Sequence, residues 1–483
     1  MNRIIVLIIG VFFYQNSFSQ DNSIYRKLSP AEYRNDLLIL TTSLKESLME
    51  LYMYQDSVTF EKKINDLNSR TDSITIKDFY TEIKKLFAPI GSDHMKVFFQ
   101  KEVENDNVKT KRIFPLEVRF LNEKVYCFYN YQDNDIENGD QIISVNGNKM
   151  TDAVRTILGL TNSGGFIQDS KKWIFESLGF SEKYYLFIDT SQTFNVEYMK
   201  KGENNIKTIN IKGGKREELE NESNSTKYNN LHNNNSFPNP YGLKIENGVA
   251  IMNIEQFYEN ISEKQFNEFY KKSFREIETQ KVEYLIIDVR RNLGGWQRHG
   301  YNLMEYFTPI EFSPIESVWF KSNSFSFLHF TNMKAKDLNL NKLEKSGRYY
   351  KQKCFNWLTE STFKPKEKYF YSGKVFVITN EGTSSAACFF TNAINTFNDS
   401  VVFVGRESDA VSSGASSGFM PILTLPNSKL NIRLALAYFK AVSKPNLPYG
   451  RGLIPDFIVE RDLSATDKET DFTIKLINQE RKK

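Results

Sequence analysis

Histidine and cysteine are both scarce in this 483-residue chain. Four histidines, His94, His232, His299 and His329, leave any imidazole-dependent chemistry a short list of candidates. The three cysteines, Cys127, Cys354 and Cys388, are too few and too widely spaced for a zinc pattern or a dense disulfide framework, and no disulfide of consequence is expected. Beyond the first fourteen residues no apolar run approaches the roughly 20 residues that a membrane span requires. Neither sign of charge accumulates: 63 Lys and Arg face 59 Asp and Glu, interspersed, for a net charge of +4. That balance excludes the basic stripe of a nucleic-acid-binding protein.

What is present begins with MNRIIVLIIGVFFYQNSFS, residues 1–19: one positive charge at Arg3, an apolar run from Ile4 to Tyr14, and small residues at Ser17 and Ser19. This pattern reads as a secretory signal peptide cleaved near Gln20, giving an exported protein, periplasmic or secreted. The competing reading, a membrane anchor, suffers from the shortness of the apolar run. No cysteine near the site supports a lipid anchor.

The length suits two or three domains. Residues 20–110 carry good helix formers with apolar residues at helical spacing, introduced by Ser29-Pro30, and are expected to form an N-terminal cap of two to four helices. Residues 111–211 change to short, aromatic, β-rich runs, FPLEVRF and KVYCFYNY, followed by DIENGDQIISVNGNKM with Asn-Gly turns at Asn138-Gly139 and Asn146-Gly147. Residues 212–240 are polar and asparagine-rich and read as a linker, with His232 a solvated loop residue. From 241 to 462 apolar strand-like runs (VAIMNI, YLIIDV, KVFVITN, SVVFVG) alternate with helical segments, as in an α/β domain with a buried, largely parallel sheet. Residues 463–483 are expected to add a last helix.

Two segments of this α/β region hold the chemistry. In VFVITNEGTSSAACFF a buried strand runs through a glycine turn into a helix, with Ser384 and Ser385 at the junction. Such a junction lies at the carboxyl edge of an open sheet, where a hydroxyl is accessible and the first helical amides can face a developing oxyanion. Thr383 and Ser384 are equally ordinary helix caps, so the stretch alone does not decide between nucleophile and cap. In YLIIDVRRNLGGW another buried strand ends in Asp288 and is followed by Gly294-Gly295, a pair that brings backbone N–H groups close to a ligand or simply makes a tight turn.

Taken together and in this order, the two segments resemble the C-terminal-processing, or tail-specific, serine peptidases and their tricorn-like relatives. FVGRES, LTLPNSKLNIRLALAYF and GLIPDF continue the likeness, and GDQIISVNG resembles the signature hairpin of PDZ domains. The resemblance implies an α/β fold with a crotonase-like core, an N-terminal helical cap and a PDZ-like β-rich module. It implies a serine endopeptidase hydrolysing polypeptides near their C-terminal ends, with neither metal nor cofactor and no nucleic-acid partner. Position by position it puts the nucleophile at Ser385, and the oxyanion hole at Gly294 or Gly295 with Ala386, Gly294 being the first choice.

The base is less regular. Where one branch of the family keeps a lysine, this chain reads SDAVSSGASSG. The tricorn-like branch takes a histidine from a segment before the PDZ-like module, which here corresponds to His94 in PIGSDHMKVFF. The glutamate of that branch is replaced by the stretch Leu447 to Arg451, leaving Glu407 or Asp409 as candidates to orient the imidazole. His299 is read as a helix-surface residue and His329 as part of an aromatic strand or loop. Without the lysine and the glutamate, a weakly active or inactive peptide-binding protein of the cell envelope is the alternative. An esterase finds no G-x-S-x-G elbow.

Overall fold

The computed structural model describes residues 23–482 other than 105–109, 176–177, 224, 227, 229–240, 259, 353–355 and 465. The expected signal peptide, His232 and Cys354 lie outside the described residues, and so do 224, 227 and 229–240 of the expected linker.

The centre of the fold is a six-stranded sheet whose strands follow one another in chain order: Tyr241–Glu246, Val249–Ile254, Tyr284–Asp288, Lys374–Thr379, Val402–Gly405 and Phe457–Ile458. The first pair is antiparallel and every later pair parallel. Parallel strands need covered faces, and the near-continuous apolar runs supply them: Leu285, Ile286, Ile287, Val377 and Ile378 are completely buried. Glu263–Thr279, Gln297–Met304 and Ala386–Phe397 pack together on one face, with Phe266, Phe274 and Phe390 in their core. Lys468–Glu480, the expected last helix, contributes Ile477 to a smaller cluster with Ile286, Phe376 and Val404.

Before this core lie the helices Pro30–Ser47, Ser57–Ser69 and Ile76–Phe87. The first begins as its sequence suggests, with Ser29 accepting from the Glu32 amide, Glu32 bonding back to the Ser29 amide, and Pro30 at the first helical position. Next comes an antiparallel sheet in the order 206–212, 193–199, 141–145, 124–130, 116–121, whose own apolar cluster includes Val118, Val125, Ile142 and Phe194. The helices Met150–Gly159 and Gly179–Phe187 cover it.

The start of the expected linker is ordered structure instead. Gly214–Lys215 pairs with Arg112–Ile113, and Arg216–Glu222 is helical. One buried apolar residue, Leu219, and the bonds of Glu218 to Arg112 and to the Lys215 amide anchor a segment that polar composition marks as loop. No helix among the described residues is long and apolar enough to cross a membrane.

Candidate active site

The strand Lys374–Thr379 ends on a turn whose own polar side chains tie it down. Asn380 accepts from the Gly382 amide at 2.8 Å, and the Thr383 hydroxyl donates to the Val289 carbonyl at 2.9 Å and accepts from the Asn380 amide at 3.2 Å. Thr383 therefore laces this turn to the end of the neighbouring strand and does not cap the helix. Ser384 donates to Asp409 at 2.8 Å and is equally unavailable as a cap.

Ser385 stands at the cap position of Ala386–Phe397 but makes no side-chain capping bond, and its backbone has φ 53° and ψ −121°. A positive φ in a residue with a side chain is strained, and the surrounding turn must hold it. Its Oγ turns instead toward His94, 3.1 Å from Nε2, across 291 positions of sequence.

His94 reaches this point through local bracing. Asn162 Nδ2 donates to the carbonyls of Ser92 (3.0 Å) and Met95 (2.6 Å), and Arg433 Nε donates to the His94 carbonyl at 2.8 Å. Directly after it, Lys96–Phe98 pairs with Asn431–Arg433. The imidazole is 8% exposed and its Nδ1 lies 2.9 Å from Asp93 Oδ1. Burial by itself lowers the pKa of His94, but the charge and hydrogen bond of Asp93 outweigh it, so the net direction is upward. For Asp93 burial raises the pKa and the pairing with His94 outweighs that, so the carboxyl is held below its ordinary range.

Asp93, not Glu407 or Asp409, is thus the carboxylate on the imidazole. Glu407 is occupied by a bidentate pair with Arg451 (2.8 and 2.6 Å) and by the Gly452 amide at 2.9 Å. Asp409 faces Ser384, and burial together with the charge of Asp93 pushes its pKa up to about 6. The sequence carries one signal for Asp93, its place immediately before His94 in GSDH.

Gly294 and Gly295 follow the neighbouring strand with φ of 102° and 122°. A Cβ on Gly294 would stand 2.6 Å from Ser385 Cβ, and one on Gly295 would stand 1.8 Å from the Phe257 carbonyl oxygen, so neither position admits a side chain. The Gly294 N–H already donates to Asn292 Oδ1 at 3.0 Å, which corrects its expected place as first-choice oxyanion donor. The amides of Gly295 and Ala386 have no acceptor among the described residues.

Ser385, His94 and Gly295 line one cleft of about 1040 Å³. His299 is buried and stacked on Phe266 at 4.2 Å, in the core and not on the helix surface, and His329 is exposed in a short turn at Leu328–Phe330. Cys388 is buried under the turn, its thiol donating to the Thr383 carbonyl at 2.9 Å. A hydroxyl bonded to an imidazole whose far nitrogen meets a carboxylate is an arrangement that removes the hydroxyl proton as the oxygen attacks.

Residues 248–459 match the model of peptidase family S41. This segment is a peptidase family S41 domain. The match makes the chain a serine-type peptidase, a hydrolase acting on polypeptides. Ser385, Gly294, Gly295 and Ala386 lie inside the S41 domain, while His94 and Asp93 come from the chain before it. Among solved structures, mature CPAF is 14% identical over 92% of this chain and 96% of its own, with a TM-score of 0.61. Mature CPAF complexed with lactacystin gives the same identity and TM-score, 14% and 0.61, with 97% of its own chain covered. The photosystem II D1 C-terminal processing protease is 11% identical over 91% of this chain and 96% of its own, with a TM-score of 0.40. No curated protein matches the chain.

Proposed function

We propose that the protein is an exported serine endopeptidase working through Ser385, His94 and Asp93. Ser385 Oγ attacks the scissile carbonyl carbon while His94 Nε2 takes its proton, and the imidazolium so formed is held by Asp93. The amides of Gly295 and Ala386 receive the carbonyl oxygen as it gains charge. His94 then returns the proton to the leaving amine as the carbon–nitrogen bond breaks, and water attacks the acyl-enzyme by the same route in reverse. The observation that carries this reading is the 3.1 Å contact between His94 Nε2 and Ser385 Oγ, with Asp93 on the other nitrogen.

The sequence reading that the chain only binds peptides drew its force from the missing lysine and glutamate. His94 on Ser385 answers the missing lysine, and Asp93 on His94 answers the missing glutamate. The test is hydrolysis of casein and labelling by a fluorophosphonate, which acylates activated serines. Ser385→Ala and His94→Ala are each expected to abolish both signals, and an unaltered signal in Ser385→Ala would return the stretch to a structural turn.

Export rests on the signal-like residues 1–19, and fractionation of expressing cells tests it. A preference for substrate ends rests on the family resemblance and on the PDZ-like reading of the 116–212 sheet. Peptides differing only in a free or an amidated carboxyl end test that preference, the free form being cleaved faster.

A further inference from the structure

The cleft that holds Ser385 carries an uneven set of charges. Four of its five carboxylates are engaged: Asp93 with His94, Asp409 with Ser384, Glu182 with Arg216, and Glu381 with Arg406 and Arg461; the fifth, Glu104, has no ion-pair partner among the described residues. None of its four lysines has an ion pair among the described residues; besides Lys171 these are Lys84, Lys96 and Lys183, which repel one another. Lys84 has one polar contact, Asn162 Oδ1 at 3.4 Å.

The three ammonium groups come from separate elements, the helices Ile76–Phe87 and Gly179–Phe187 and the strand Lys96–Phe98. Aromatic stacking joins these elements: Tyr80 stacks on Phe99 at 4.6 Å and on Phe187 at 6.0 Å, linking the two helices to the chain just after the strand. Burial, and then the repulsion of Lys183 and Lys96, pulls the Lys84 ammonium down to about 7. A packed fold tolerates such mutual repulsion poorly, and one negative charge placed among the three relieves it. Trp173, Trp296 and Met420 on the walls offer apolar contact to the rest of a bound chain.

We propose that Lys84, Lys96 and Lys183 form a subsite for a carboxylate side chain, Asp or Glu, of the polypeptide lying in the cleft. The inference rests on the peptidase reading of this cleft and adds a substrate class to it: polypeptides carrying an acidic residue near the bond that is cut. A chain-terminal carboxylate has the same chemistry, so the test separates the two sources.

Binding is measured on the protein carrying Ser385→Ala, by fluorescence anisotropy in 20 mM salt. Two labelled decapeptide pools of Ala, Leu, Phe, Val and Ser are used, one with a single Glu at a random position and one with Gln, all amidated at the carboxyl end. The Glu pool is expected to bind at least about tenfold more tightly, the scale on which partly desolvated charge pairs discriminate. Adding Lys96→Glu with Lys183→Glu, or the milder Lys96→Gln with Lys183→Gln if the first pair folds poorly, is expected to bring the ratio toward one. Equal binding of the pools, no binding of either, or a preference that survives the lysine changes would each overturn the proposal. So would equally tight binding of Glu and Gln in the same pools made with free carboxyl ends, a result that assigns the lysines to a chain terminus. Hydrolysis of the same pools by the unsubstituted protein is read separately: its absence removes the catalytic mechanism, whereas the binding ratio still decides the subsite.

Discussion

Replacing Asp93 by Asn separates a structural contact from a catalytic one. The side chain is 8% exposed and lies 2.9 Å from His94 Nδ1, and Asn keeps its size and still has an oxygen to accept that bond. What is lost is the negative charge facing the imidazole when it becomes imidazolium. Loss of the comparable charge in a serine–histidine–aspartate triad costs about 10⁴-fold in turnover, and a fall of 10³- to 10⁴-fold is expected here, roughly 4–5 kcal/mol of barrier. The pH profile gives a second, independent readout. Burial lowers the His94 pKa and Asp93, with a smaller contribution from Glu50, lifts it above its ordinary 6.5, so removing the Asp93 charge should carry the acid limb of kcat/KM downward from above 6.5 while the plateau falls. Stability moves as well. The raised His94 pKa contributes stability that is complete below 6.5 and lost as pH rises through the raised value. The lowered Asp93 pKa contributes stability that is present above 3.8 and lost as pH falls through the lowered value. The fall in melting temperature of Asp93→Asn should therefore be largest between pH 3.8 and 6.5. A loss of activity under tenfold, or an acid limb that stays in place, would refute the assignment.

Glu50, 1% exposed and bonded to the Ser416 amide at 3.0 Å, has its carboxyl pushed up by burial from 4.5 to about 7. Its stabilising contribution is complete below 4.5 and lost as pH rises through about 7, a cost near 3 kcal/mol at 1.36 kcal/mol per unit. Glu50→Gln should melt several degrees above the parent at pH 8 and show little gain at pH 4, by calorimetry. Gly294→Ala places a methyl 2.6 Å from Ser385 Cβ at a φ of 102°, and should cut fluorophosphonate labelling at least about 100-fold and lower stability by about 2–3 kcal/mol in urea melts. Arg290 joins Asp288 (2.6 Å), Asp467 (2.6 Å) and Glu469 (3.1 Å), tying the strand before Gly294-Gly295 to the last helix; Arg290→Met leaves Asp288 and Asp467 without an ion pair among the described residues, Glu469 keeping Arg406, and should cost about 3–5 kcal/mol in the same melts.

Much of this was legible in the chain itself, because local physics writes local patterns. Ser29, Glu32 and Pro30 mark a helix start by the bonds they make within one turn. The apolar runs at 284–288 and 374–379 announce buried parallel strands, since each strand must be apolar on both faces. Gly294, Gly295 and Ser385 sit at strand-end turns whose tightness demands glycine or small residues. Polarity misled at 212–222, where one buried leucine and a short ladder outweigh a hydrophilic composition.

The sequence by itself therefore determined the α/β class of the core, the turn that presents Ser385, and the short list of histidines. Only the tertiary structure decided which histidine meets the serine, which carboxylate holds it, which glycine amide is free, and that Lys84, Lys96 and Lys183 line one cleft. Those are matters of side-chain direction and of pairing across as many as 291 positions. Hydrophobic periodicity places a strand or a helix, but it does not say which loop that element will lie against. That choice is made by the packing of distant elements, here by the pairing of 96–98 with 431–433 and the bonds of Asn162 and Arg433 that hold the His94 segment in place.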